Sequence, residues 1–230
     1  MNLNRLLRTR QLLEGREGRP FNAFYELWTA HFKAEEELAK SSVSASTKWL
    51  FQRAFVISSV TATEVYFRGM LDTIFRSCKR ETFELKLLEL HKAKYDIDEL
   101  VMIYEKRVHP CELVVEGLSF QRISTIEDVF SKLLGKPFWK SVVPIQLRRK
   151  DEPEKILHVT EESVKKFEKL LHLRHELIHH PDPKKTELNE DELDCLYEIP
   201  FLILACNIQI TSHIAKNLDP ELKKPVPKKN

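Results

Sequence analysis

The chain reads as an all-α protein. Its 230 residues include only five glycines, whereas β-rich and dinucleotide-binding chains use glycine freely in turns and phosphate loops. A proline-free stretch from Thr47 to Ser77 repeats apolar residues at helical spacing. Two further segments carry helix-start chemistry: Thr160 with Glu161 and Glu162 behind it, and Asn189 with Glu192 three positions on.

Taken in order, residues 1–20 form a basic arm or short docking helix, with Leu3, Leu6, Leu7, Leu12 and Leu13 at roughly helical spacing. They have no apolar run of the kind a secretory leader needs. From Phe21 to Lys40, Phe24, Leu27, Trp28 and Phe32 fit one helical face. The serines between Ser41 and Ser46 suit a cap for the following helix. That helix carries one stripe of Trp49, Val56, Val60, Phe67, Met70 and Ile74 and a second of Leu50, Ala54, Ile57 and Leu71. Apolar on two sides, it belongs in the centre of the fold.

Residues 81–158 read as a connecting insertion of short pieces. Glu81–His91 and Asp98–Lys106 suit short helices. Ser124-Thr125-Ile126-Glu127 has the form of a capping box for a helix ending near Leu134, before Gly135 and Pro137. Pro144 to Pro153 reads as loop. The next helix runs from Thr160 with Val164, Phe167, Leu170, Leu171, Leu177 and Ile178, and must stop near His179 because His180 precedes Pro181. A last helix reaches about Asn217, interrupted at Pro200. Residues 219–230 form a basic tail expected to be disordered. One domain, 21–218, accounts for the whole pattern.

Composition limits the function. With 37 basic and 35 acidic residues the formal charge is +2, so affinity for nucleic acid must come from local clusters. The four cysteines form no Cys-x-x-Cys and read as reduced thiols. The apolar run Ile199–Ile208 is broken by Pro200 and Asn207 and falls short of the roughly 20 residues a bilayer requires. A soluble, cytoplasmic protein without membrane contact is expected.

The informative segment is Arg174-His175-Glu176-Leu177-Ile178-His179. An arginine can hold a phosphate, and an imidazole can exchange protons near neutral pH. Free carbonyls at a helix end favour a cation there. Arg174, a polar His175, and His179 five positions after the arginine match the signature of the HEPN superfamily, which the chain resembles. The stretch Ser59 to Phe67 of the central helix and the run Ile123 to Trp139 are similar to the RiboL-PSP type of that family.

The resemblance implies a four-helix bundle with the insertion between its second and third core helices. It implies a homodimer whose Arg–His sets share one cleft, and a metal-independent endoribonuclease without cofactor in a toxin or antiviral role, held by an antitoxin or inhibitor protein. A non-catalytic module that binds RNA or nucleotides is the alternative. On this reading Arg174 stabilises charge on phosphorus, His179 moves protons, His175 orients the substrate or its partner histidine, and Glu64 points inward to hold Arg174. The competing role for Glu64 is an i,i+4 ion pair with Arg68. Arg148, Arg149, Lys184 and Lys185 are candidate RNA contacts.

The same letters spell a second motif. His175-Glu176-Leu177-Ile178-His179 is His-Glu-x-x-His, the zinc-protease arrangement, with Glu198 as a third ligand. Against it stand the lack of a preceding edge strand to hold a peptide and the end of the helix at the second histidine.

Overall fold

A computed structural model describes residues 20–90, 95–108, 110–148, 154, 156–179, 185 and 187–223. Among the described residues the fold is all-α apart from one two-stranded sheet. Residues 1–19 of the basic arm and 224–230 of the tail lie outside the described residues, as do Arg149, His180 and Lys184, whereas Pro220–Lys223 of the tail expected to be disordered form a 3-10 turn.

Four long helices build the frame: α1 (Pro20–Lys40), α2 (Ala45–Ser77), α8 (Glu161–His179) and α9 (Glu190–Asn217). α1 pairs with α2 and α8 with α9, and α2 also touches both members of the second pair. Ser44 caps α2 as its composition suggests, its hydroxyl accepting from the Thr47 amide at 3.2 Å. Asn189 and Glu192 complete the expected capping box at α9. Helix ends leave backbone groups unpaired, so these polar side chains fix where the long helices begin.

The first stripe of α2 is buried from Val56 to Ile74, and of the expected second stripe Leu71 is buried and Ile57 half-buried. Leu50 is 62% exposed, and Ala54 is also on the surface. Phe55, Ser59 and Tyr66 take the second inward face, joined by Gln52. Polar Gln52 and Ser59 hide this stripe from a hydrophobicity pattern. Gln52 is tolerated inside because its carbonyl accepts from the Leu188 amide at 3.1 Å. A buried polar group with a partner avoids most of its desolvation penalty.

The insertion adds α3 (Glu84–Leu90), α4 (Ile97–Glu105), α5 (Pro110–Gly117), α6 (Ile123–Leu134) and α7 (Phe138–Val142). The sequence reading covered α3, α4 and α6. It had no helix at 110–117, although Pro110 stands in the first helical position, where its missing N–H costs nothing. Ile126, Val129, Phe130 and Leu133 form the buried stripe of α6. Phe67 of α2 meets Phe120, Phe130 and Phe138 with ring centroids 6.0, 5.6 and 6.5 Å away. The insertion therefore shares the bundle's core.

Ser124 is not the cap of α6; Arg122 occupies that position without a side-chain bond. Glu127 reaches forward instead and accepts from the Phe138 and Trp139 amides at 3.2 and 2.9 Å, closing the start of α7. Gly135 ends α6 at φ 70°, the left-handed region glycine enters most easily. The expected loop at 144–153 holds a strand, β1 (Gln146–Arg148), antiparallel to β2 (Ile156–His158). Three residues are too few to show an alternating pattern.

Pro200 does not break α9, because buried Ile199, Leu202 and Ile203 hold the helix through it. By length and composition α9 could cross a membrane, but half of its most apolar stretch is buried inside the fold. A bridge between Cys78 and Leu218, with Lys79 donating to Asn217 and Asp219 to Ser77, ties the end of α2 to the end of α9. Cys78, Cys195 and Cys206 are buried free thiols, and burial pushes the Cys78 thiol up to about 11.

Candidate functional site

α8 is buried along Phe167, Leu170, Leu171, Leu173 and Leu177. Opposite these run Glu168, His172, His175 and His179, spaced four, three and four apart, so they share one exposed side. Arg174 sits at the boundary between the two faces, partly covered.

This side of α8 forms one wall of a groove of about 940 Å³. The other wall is the chain between α5 and α6, Gly117 to Thr125, and Val60 of α2 also contributes. Arg174, His175 and His179, singled out from sequence, all line it. The rings of His175 and His179 lie 4.7 Å apart between centroids and 47° from parallel.

Arg174 donates from Nη1 to Gln121 Oε1 at 3.4 Å. Its Nε is buried without a partner, and among the described residues it pairs with no carboxylate. Arg122, exposed on the facing wall, likewise has no ion-pair or hydrogen-bond partner from its side chain among the described residues. The start of α6 opens onto the same groove, and no side chain caps it. Among the described residues, two guanidiniums without an ionic partner, three histidines and the amino end of α6 line the groove with one carboxylate, Glu168, an arrangement that can attract an anion.

Glu64 does not touch Arg174. It accepts from Arg68 at 3.1 Å, which is the i,i+4 pair, and from Gln121 Nε2 at 2.9 Å. Arg68 also reaches Glu116 of α5 at 3.3 Å. Of the two expected roles the i,i+4 ion pair is the one present; Glu64 does not hold Arg174 and is linked to it only through Gln121.

The α8 end differs from the sequence expectation in one respect. The Leu177 carbonyl accepts from Arg53 Nη2 at 2.8 Å, so α2 already supplies a cation to the last turn. Of the candidate RNA contacts, Arg148 is exposed on β1 and takes no part in the groove wall. Lys185 is ion-paired with Glu192 in the first turn of α9 and is also absent from the wall. Arg149 and Lys184 lie outside the described residues.

Glu198 is not brought to the two histidines. It accepts from Ser163 Oγ at 3.4 Å and pairs with Lys166 at 3.6 Å, near the opposite end of α8. No group of three or more metal-ligating side chains converges among the described residues. The zinc triad of the sequence reading therefore lacks its third member.

Sequence reasoning assigned none of Gln121, Arg122 and His172 to the site. His172 would have been found by extending the His175–His179 stripe back one turn. Gln121 and Arg122 sit in an irregular segment whose position across the groove follows from folding of the insertion. No protein-family model, curated protein or solved structure matches the chain.

Proposed function

We propose that the groove is the active site of a HEPN-type endoribonuclease that cleaves RNA without a metal. The observation that carries the proposal is that the paired rings of His175 and His179 line one groove with Arg174, which among the described residues pairs with no carboxylate. RNA contains its own nucleophile, so the protein must supply a proton acceptor, a proton donor and a cation near phosphorus.

In this mechanism a neutral imidazole takes the proton of the 2′-hydroxyl as its oxygen attacks phosphorus. The bond from phosphorus to the 5′-oxygen breaks, and an imidazolium protonates that oxygen. The products are a 2′,3′-cyclic phosphate and a 5′-hydroxyl. His179 and its neighbour His175 fill the two proton roles, in one chain or across a homodimer, while Arg174 holds the phosphoryl oxygens. The groove lies within the usual volume range of a small-ligand site and can seat a short single-stranded segment.

The test is RNA cleavage by the parent chain and by Arg174→Ala and His179→Ala, with the product ends identified. Loss of roughly 10²-fold or more in both variants, with cyclic-phosphate ends from the parent, is expected. Equal cutting by both variants overturns the assignment. Binding without any product supports a non-catalytic RNA-binding module instead.

A further inference from the structure

We propose that Gln121 is a positioning residue that aims the Arg174 guanidinium into the groove without cancelling its charge. The inference rests on Arg174 as the phosphate-holding group.

The chemistry of its two neighbours fixes which way the Gln121 amide faces. A Glu64 carboxylate can only accept, and a guanidinium can only donate. Nε2 toward Glu64 at 2.9 Å and Oε1 toward Arg174 at 3.4 Å is the arrangement in which both contacts attract. The flipped amide would set oxygen against carboxylate and N–H against guanidinium. Glu64 is itself anchored, since Arg68 bonds it at 3.1 Å and Glu116 at 3.3 Å. Orientation is thus passed from α5 and α2, across the segment before α6, to α8.

The neutral spacer matters. A carboxylate placed directly on Arg174 would orient it as well, but would compete with any phosphate for the same N–H groups. Gln121 keeps Glu64 one residue away, and Arg68 pairs with that acid while also bonding Glu116. The insertion thereby has a task in the site: it supplies the hydrogen-bond acceptor that holds the arginine of the core helix.

The experiment uses the full chain and two readouts. The first is the ¹⁵N-detected Nε–H signal of Arg174, assigned by its loss in Arg174→Lys. Gln121→Ala and Glu64→Gln are expected to move or broaden that signal, the second acting through the intact glutamine. An unchanged Arg174 signal in Gln121→Ala overturns the proposal.

The second readout is the salt dependence of binding to a 2′-O-methylated, uncleavable RNA 12-mer. Gln121→Glu is expected to bind roughly tenfold more weakly, with its salt slope reduced by about one, as in Arg174→Ala. Gln121→Ala is expected to weaken binding while keeping the parent slope, because the charge remains. A parental slope and affinity in Gln121→Glu overturn the claim of charge sparing. If the parent binds no RNA, the ribonuclease proposal falls, and the Arg174 signal still decides this one.

Discussion

Arg53 of α2 donates to the carbonyl of Leu177 at 2.8 Å, tying the last turn of α8 to the central helix. That turn carries His179, and the carbonyls of a helix's final turn have no partner within the helix. Removing the guanidinium with Arg53→Ala should cost about 1.5–3 kcal/mol, the range for a hydrogen bond that involves a charged group. The last turn should fray first. Hydrogen exchange at Ile178 and His179 is expected to speed up more than at Leu170, deep in the same helix. A uniform change along α8 would mean that Arg53 contributes only to global stability.

Phe67 predicts how far the insertion is part of the fold. It is fully buried, with three of its ring neighbours, Phe120, Phe130 and Phe138, contributed by the insertion. Phe67→Ala should destabilise by about 3–5 kcal/mol, through lost burial and the cavity left behind. Denaturant unfolding followed at Trp49 in the bundle and Trp139 in the insertion, each as the sole tryptophan, should give one shared midpoint. Separate midpoints would show that residues 81–158 unfold independently.

The frame was legible because long helices announce themselves. α2, α8 and α9 carry period-3.6 apolar faces and side-chain caps within three residues of their starts. What escaped is held by distant partners. Glu127 looks like a local cap but serves α7, eleven and twelve residues on. Leu50 is apolar yet exposed, whereas Gln52 is polar yet buried because Leu188, 136 residues away, gives it a hydrogen bond. The site divides the same way: Arg174, His175 and His179 are one helical segment, whereas Gln121 meets Glu64 57 residues away and Arg174 53 away. A pattern read along the chain contains the first kind of neighbour and not the second.

His213 sets a direction for stability against pH. Burial lowers its pKa from the ordinary 6.5, and Lys86, Lys136 and Lys216 lower it further. The folded chain thus binds this proton less readily than the unfolded chain does. Above about pH 6.5 both states hold a neutral imidazole and His213 contributes no pH dependence. As pH falls below that value the unfolded state gains protons first, and stability falls until the folded-state value is passed. His213→Gln should flatten this part of the stability profile, measured by denaturant midpoints between pH 7 and 5. An unchanged slope would show that other groups govern that window.

His175 and His179 bear on metal dependence through their own geometry. Two imidazoles one turn apart can chelate a divalent ion, and two-histidine pairs on helices do so readily. A zinc site of the protease kind needs a third protein ligand, and Glu198 is committed to Ser163 and Lys166 instead. Any zinc at the pair should therefore be loosely held and exchange on dialysis. If the pair acts as proposed, chelator treatment should leave both the melting temperature and RNA cleavage unchanged, whereas added zinc should inhibit by occupying the imidazoles assigned to proton transfer. Elemental analysis after dialysis decides the matter. A retained stoichiometric zinc, lost in His175→Ala and needed for activity, would assign the pair to metal binding and remove it from proton transfer.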